Sequence, residues 1–519
     1  MKSKFFIAGN RIINGLFCLF FGLTLIFALI SPNMTIGDNS VFGTSTTLAT
    51  TFFVLGSIAF IIAVYCYPKV QQFLTWLFVT HRYGTVTVFV LGVLAWQIVF
   101  VSFLHSAIGW DVAAIHDALT DTTNPEIVAY YSLNQNNLPI LLWQHQLAEW
   151  FSTTSWLFFD SVTLFLVDLS VLFNILTIRL LCKKYLVPAI YLHGAWLLVF
   201  PSIIVPYTDT WVLPFVSASL FFYALMIKKE LPTKYNLLGA VGLGIAAVVG
   251  YFIKPSALIL LIAVLLIEAI SFFAKKWQSK GRIVLLMITL ITAGGTYAVC
   301  NHQLENQQYI AIDESRAIPM IHFMNIGLTN DGGYSPEDAQ AMAELPTKQA
   351  KIDYSKEKIQ ERLKERGVLG YISFLFQKHR NNTADGTFAW LKEGSFIQEG
   401  ETPKGKGFTR WLQEGYYLYG NRIADFRFMA QIWWVICLLI MAFGWKRQGK
   451  YEQMLRLSLV GGFLFLLLFE GGRSRYLIQF LPFFLLLASL TMGDSIRFVK
   501  RIFTLDQRIK GSKGINNEL

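Results

Sequence analysis

Five short stretches, far apart in the chain, carry residue types able to do chemistry. "GWDVAAIHDAL" contains Asp111, a carboxylate that can serve as a general base or simply as an acidic interfacial cap. "PSIIVPYTDTWVLPF" sets Asp209 between two prolines, where an acid can cap the N-terminus of the next helix or act as a second carboxylate facing the same water. "YFIKPSALI" supplies Lys254, a snorkelling anchor or a partner for an anion. In "FEGGRSRYLIQF" the two glycines allow a sharp turn, Arg473 and Arg475 present forks that match a phosphate, Glu470 can pair with one of them, and Tyr476 follows. "YYSLNQNNLPILLWQHQ" adds Tyr131, Asn136 and Asn137, neutral donors and acceptors suited to sugar hydroxyls or to ordering a loop.

These groups need a frame, and composition names it. Of 519 residues 54% are hydrophobic and only 15% charged, which places the chain in a membrane. A crossing helix needs roughly 20 mostly apolar residues. Such runs lie near 12–30, 46–67, 83–104, 160–181, 187–205, 210–227, 236–253, 256–274, 282–299, 428–445, 455–469 and 476–493. The expected fold is an all-α polytopic membrane protein of about 12 transmembrane helices. Residues 1–299 form its N-terminal transmembrane region, with a first large outer loop at 105–159. A small α or α+β domain occupies 300–427, the last helices 428–493, and a basic cytoplasmic tail 494–519. The first run exceeds the apolar core of a signal peptide and no small-x-small site follows it, so a retained anchor is expected.

Lys and Arg in short connections mark the cytoplasmic side. They gather at Lys2/Lys4/Arg11, Lys69/Arg82, Arg179/Lys183/Lys184, Lys228/Lys229/Lys234, Lys275/Lys276/Lys280/Arg282, Lys446/Arg447/Lys450/Arg456 and the tail from Arg497. The alternate connections are nearly free of positive charge, so twelve spans with both termini inside satisfy the pattern and the plasma membrane is the expected location. The net charge of +11 then falls on cytoplasmic edges beside anionic headgroups and calls for no nucleic acid. Within 300–427, "YSKEKIQERLKERG" has the spacing of a solvated amphipathic helix.

Neither a Walker-type loop, nor HExxH, nor a Rossmann fingerprint occurs, so no cofactor is required by motif. The five cysteines show no metal-like spacing. Asp111 and Asp209 could share a divalent ion, although the sequence gives them no distance. Asp168 and Glu268 are intramembrane acids, functional by default or packed against Asn174, His193 or Ser/Thr.

With these residues in view, the chain resembles the GT-C superfamily of polytopic glycosyltransferases that use polyprenyl-phosphate sugars. Within it the likeness is to the branch of protein O-mannosyltransferases and aminoarabinose transferases (glycosyltransferase family 39-like). The resemblance rests on "GWDVAAIHDAL", "PYTDTWVLPF", "KPSALI", the late outer domain and "EGGRSRYLIQFLPFFLLLA". "IPMIHFMNIGLTNDGGYSPEDA" and "ADGTFAWLKEGSF" look like those of Gram-positive bacterial members. It implies a catalytic acid at Asp111 and a donor-phosphate site at Arg473 and Arg475. Asp111 is followed by Val112 rather than by a second acid, and two spans precede the usual starting hairpin, so the likeness reaches the donor and leaves the acceptor open.

The expected activity is inverting transfer of a sugar from a polyprenyl-phosphate donor to a lipid-linked, polymer or protein acceptor of the cell envelope, on the extracytoplasmic face. Asp111 and Asp209 are the candidate catalytic acids. Arg473, Arg475 and Lys254 are the phosphate ligands, and Tyr131, Asn136, Asn137, Glu470 and Tyr476 the substrate contacts. A lipid-linked-sugar flippase, a secondary transporter and a non-catalytic assembly scaffold are the alternatives.

Overall fold

The structure is a computed structural model that describes residues 2–273, 281–390, 397, 402–445 and 447–515, with side chains from Ile7 to Arg501. Lys275, Lys276, Lys280, Lys446, residues 391–396 of the "ADGTFAWLKEGSF" stretch, and the side chains of Lys2 and Lys4 lie outside the described residues.

In hydrocarbon each backbone N–H and C=O must be satisfied within the segment, so apolar runs of this length emerge as helices. The chain begins with α1 (Lys2–Leu29), α2 (Leu48–Cys66), the short α3 (Pro68–Thr75) and α4 (Arg82–Leu104). The first large loop folds as α5 (Trp110–Ala118), α6 (Pro125–Leu133) and α7 (Leu138–Phe151). Next come α8 (Trp156–Cys182), α9 (Leu186–Leu198), the four-residue α10 (Thr208–Trp211), α11 (Leu213–Ile227), α12 (Thr233–Ile253), α13 (Leu258–Phe273) and α14 (Gly281–Glu305). After α15 (Met320–Ile326), α16 (Pro336–Glu344), α17 (Lys348–Thr383) and α18 (Gly407–Tyr416), the chain closes with α19 (Ile423–Phe443), α20 (Lys450–Leu468) and α21 (Leu481–Ile515).

Among the described residues 11 stretches are long and apolar enough to cross a membrane. One of them, Trp156–Leu198, has 43 residues and consists of α8 and α9, broken by a 3₁₀ turn at Lys183–Tyr185. Taken as two, these stretches correspond to the twelve predicted runs, and the chain is a multi-pass membrane protein. Helix ends differ most from expectation in three places. α9 stops at Leu198, short of the predicted 205. α14 continues to Glu305, past the predicted end at 299, and α21 runs on through Ile515, so the basic tail is helical as far as it is described.

Burial sorts the helices. In α21 83% of the most apolar window is buried, against 6% in α2, so the last helix is the core of the bundle and α2 rides on its lipid-facing edge. α2 is nevertheless tied in at its start. Thr47 caps it by accepting from Ala49 N at 3.2 Å, and Asp425 of α19 accepts from the Thr47 and Thr50 hydroxyls at 2.7 and 2.5 Å.

Both large loops sit at one end of the bundle, hereafter the domain end. Tyr309 OH donates to Ala118 O at 2.7 Å, Ile318 N to Leu133 O at 3.1 Å, and Ile108 pairs with Ile397 in an isolated bridge. Apart from that bridge, the regular secondary structure described in 300–427 is helical, the first of the two forms, α or α+β, that the sequence allowed.

The domain's own small core is polar. Asp338 of α16 accepts from Arg362 Nη2 of α17 at 2.8 Å and from Asn325 Nδ2 of α15 at 3.0 Å. Burial works to raise the Asp338 carboxyl, but hydrogen bonds from Ser335 and Arg362 outweigh it and hold it below the usual range. His322 of α15, also buried, is pushed down to about 4 by desolvation, with Arg362 adding to that push and Asp338 opposing it.

Both shifts make the unfolded segment bind more protons than the folded one, so stability present above pH 6.5 is lost as pH falls toward 4 and below. The His322 contribution is at most about 3 kcal/mol. Hydrogen-exchange protection in residues 320–366, corrected for intrinsic rates, is therefore expected to drop between pH 6.5 and 4 while that of α11 and α21 holds. Equal pH dependence of all three regions would contradict this.

Candidate functional site

At the start of α5, Gly109 is extended and Trp110 takes a left-handed φ of 59°, which turns the indole outward to 75% exposure. Two phenols flank the next residue, Asp111. Asp111 Oδ1 accepts from Tyr130 OH at 2.8 Å, and Oδ2 accepts from Tyr207 OH at 2.9 Å. Burial first, and then the Asp111 charge, push both phenols well above their ordinary pKa, so they remain donors.

Behind Tyr130 stands Asn137, whose Nδ2 donates to the phenol oxygen at 2.5 Å while its Oδ1 accepts from Asn136 Nδ2 at 3.3 Å. Asn137 thus acts one step behind the acid and Asn136 two. Tyr131 does not share that role. It is wholly buried, and its hydroxyl has no hydrogen-bond partner among the described residues. Successive helical residues point about 100° apart, so the neighbour Tyr130 reaches Asp111 and Tyr131 faces the core.

Tyr207 joins this acid to the second one. Its ring lies 5.9 Å from the Arg475 guanidinium carbon. Arg475 Nε is 3.3 Å from Asp209 Oδ2, and Lys254 Nζ bonds Asp209 Oδ1. Asp209 is 3% exposed. The predicted cap role fails, because the N-cap of α10 is Tyr207 and Asp209 sits inside the first turn. There its charge still meets the positive end of the helix, while its oxygens serve two cations.

The "EGGRSRY" turn brings Arg475 in. Gly472 has a φ of 75°, which favours glycine, and its N–H donates to Asn382 Oδ1 at 2.7 Å. A 3₁₀ turn, Ser474–Phe480, follows. Tyr476 lies 5.1 Å from the Arg475 guanidinium carbon and 5.5 Å from Lys254 Nζ, and its hydroxyl donates to Glu470 Oε1 at 2.5 Å. Glu470 was expected to pair with an arginine; Tyr476 takes its oxygen, and the arginine pair forms with Asp209 instead. Arg473 points toward the domain, where its Nε would be 3.8 Å from a Cβ placed on Gly333.

A narrow cavity opens beside this network, lined by Ser202, Asp209, Thr210, Phe388, Trp390 and Arg475. Phe388 and Ala389 both hold positive φ, 53° and 65°. Asp385 makes that possible by accepting from Thr387 N at 2.8 Å, Ala389 N at 3.1 Å and Ser474 Oγ at 3.0 Å.

Tyr130, Tyr207 and Asp385 are the residues that sequence reasoning passed over. Each lies inside a quoted stretch, but a tyrosine beside an apolar run reads as packing until its partner is known. Among the described residues no three His, Cys, Asp or Glu side chains gather as metal ligands, and both Asp209 oxygens face cations rather than Asp111.

Chemically, the arrangement offers an acceptor-only carboxylate held by two neutral donors and, across the Tyr207 ring, a pair of cations compensated by a buried acid. Comparison with curated proteins and with solved structures gives no match. A family match covers residues 5–496, nearly the whole chain. The chain therefore belongs to the family described as conserved hypothetical integral membrane protein.

Proposed function

We propose that the chain is a membrane glycosyltransferase that moves a sugar from a polyprenyl-phosphate donor to a cell-envelope acceptor, with inversion, on the extracytoplasmic face. The observation that carries this reading is the convergence of Asp111 with Arg475 and Lys254, through Tyr207 and Asp209, at the end of the bundle where both large loops lie.

Tyr130 and Tyr207 take one lone pair on each Asp111 oxygen and leave others for an incoming hydroxyl. Asp111 removes the acceptor proton as the acceptor oxygen attacks the anomeric carbon. The bond from that carbon to the phosphate oxygen breaks, and the polyprenyl phosphate leaves with the electron pair, its charge met by Arg475 and Lys254, with Arg473 at the rim. Such a leaving group departs readily, so position and charge compensation matter more than a strong acid. Asp209 keeps the two cations desolvated and aimed until the phosphate arrives. Both termini are cytoplasmic in this reading, and no cofactor takes part.

Purified protein given a polyprenyl-phosphate sugar and envelope acceptor should release polyprenyl phosphate and glycosylate the acceptor. Asp111→Asn should lower turnover by about 10²- to 10⁴-fold with insertion and fold retained. Full activity in that variant would remove Asp111 from the mechanism.

Asp209→Asn should act differently, because it strands two partly buried cations. A loss of roughly 3 kcal/mol in unfolding free energy in detergent is expected, together with weaker donor binding. An unchanged unfolding midpoint would show that Asp209 is not their counter-charge.

A further inference from the structure

The second half of α17 does not behave as part of a solvated domain. At Gly367 the helix breaks, with φ 58° and ψ −177°, and a highly charged first half gives way to "VLGYISFLFQKHRNNT". Val368, Leu369, Ile372 and Phe376 are 77%, 82%, 46% and 47% exposed. Their spacing puts them on one helical face.

The other face is sunk among the spans. His379 Nε2 lies 3.0 Å from Phe20 O and 3.1 Å from Thr24 Oγ1 of α1. At 1.5 Å per residue, Phe20 is roughly 14 Å below the Leu29 end of that helix. Trp434 Nε1 of α19 donates to Thr383 O at 3.0 Å, and Trp434 is roughly 16 Å below the Ile423 end of α19. The His379 ring also lies 5.1 Å from that of Phe463 in α20.

The chain then turns and returns to the domain end. Trp390 Nε1 donates to Tyr416 O at 2.8 Å, and Ile397 pairs with Ile108. At the bottom of this excursion polar groups are matched by a span: Gln431 Nε2 of α19 donates to Ala384 O at 3.0 Å, and its Oε1 accepts from Gly386 N at 2.8 Å. Nearer the domain end, Lys378 Nζ reaches Gly327 O at 2.6 Å and Phe469 O, just past α20, at 2.7 Å. Non-helical backbone at membrane depth is tolerated only when protein satisfies it in this way.

We propose that residues 368–390 form a re-entrant segment of the membrane, with the Val368, Leu369, Ile372 and Phe376 face in contact with lipid acyl chains. The occupant of that face is hydrocarbon, because the face belongs to a helix packed on the bilayer-deep parts of α1 and α20, and α20 itself exposes Leu464 and Leu468. The inference is independent of the sugar-transfer reading.

The test is spin labelling of the full chain in bilayers. On a background lacking Cys18, Cys66, Cys182, Cys300 and Cys437, single cysteines at Leu369, Ile372 and Phe376 are compared with Phe60 of α2 as the lipid standard and Glu361 as the aqueous one. All three test sites should collide with oxygen as Phe60 does, and with a water-soluble nickel chelate at least fivefold less than Glu361 does. Access to nickel equal to that of Glu361 would overturn the proposal, and so would shielding from both relaxants, which would mean a protein partner covers the face. In the unaltered chain, a carbene probe dissolved in the bilayer should label residues 368–377 as strongly as it labels α2. Labelling no higher than that of residues 348–366 would also overturn the proposal.

Discussion

A carboxylate buried at the edge of a membrane bundle requires a counter-charge, and Asp209 has two. Lys254 arrives from the end of α12 and Arg475 from the turn after α20, while Asp209 itself opens α10. Leaving any of the three unpaired at this depth is expensive, so the pairing fixes how three distant parts of the sequence meet. Ser256 then ties the α12–α13 turn to Gln479, and Tyr207 carries the constraint across to Asp111. The chemistry proposed for the site depends on this triad, since it holds two cations on Asp209 and off Asp111, the proposed general base.

Much of this was legible beforehand. Asp111, Asp209, Lys254 and Arg475 stood out because charge at the uncharged edge of an apolar run needs a reason, and the alternation of basic connections placed them at one end. The helical class and the number of apolar runs followed from composition alone. What the sequence could not give was rotation and depth. Tyr130 and Tyr131 are indistinguishable until the register of α6 is known. Asp209 reads as a cap by position, whereas partners 45 residues and more away decide its role. The second half of α17 falls within the 300–427 region that reads as domain; in the fold Lys378 bonds Leu467 O of α20, His379 meets Phe20 O of α1, and Asn382 accepts from Gly472 N.

The intramembrane acids make the same point. Asp168 accepts from Gln97 Nε2 at 2.9 Å, and Glu268 meets Lys450 at 2.7 Å, Arg282 at 3.6 Å and Tyr223 at 3.0 Å. Neither Asn174 nor His193, named with Ser/Thr as packing partners, bonds either acid. Glu268 instead pins α13, α14, α20 and α11 together at the basic end, where loop cations are close at hand. Paired charge thus organises both ends of the bundle, and at the domain end it stands beside a cavity and a second acid.

The central claim is that the cations at the domain end hold a lipid phosphate. Native mass spectrometry of the protein with polyprenyl phosphate, wild type against the double change Arg473→Ala and Arg475→Ala, addresses it directly. One tightly held lipid per wild-type chain and at least tenfold weaker binding by the double variant is the expected result. Equal retention by the two proteins would contradict the account.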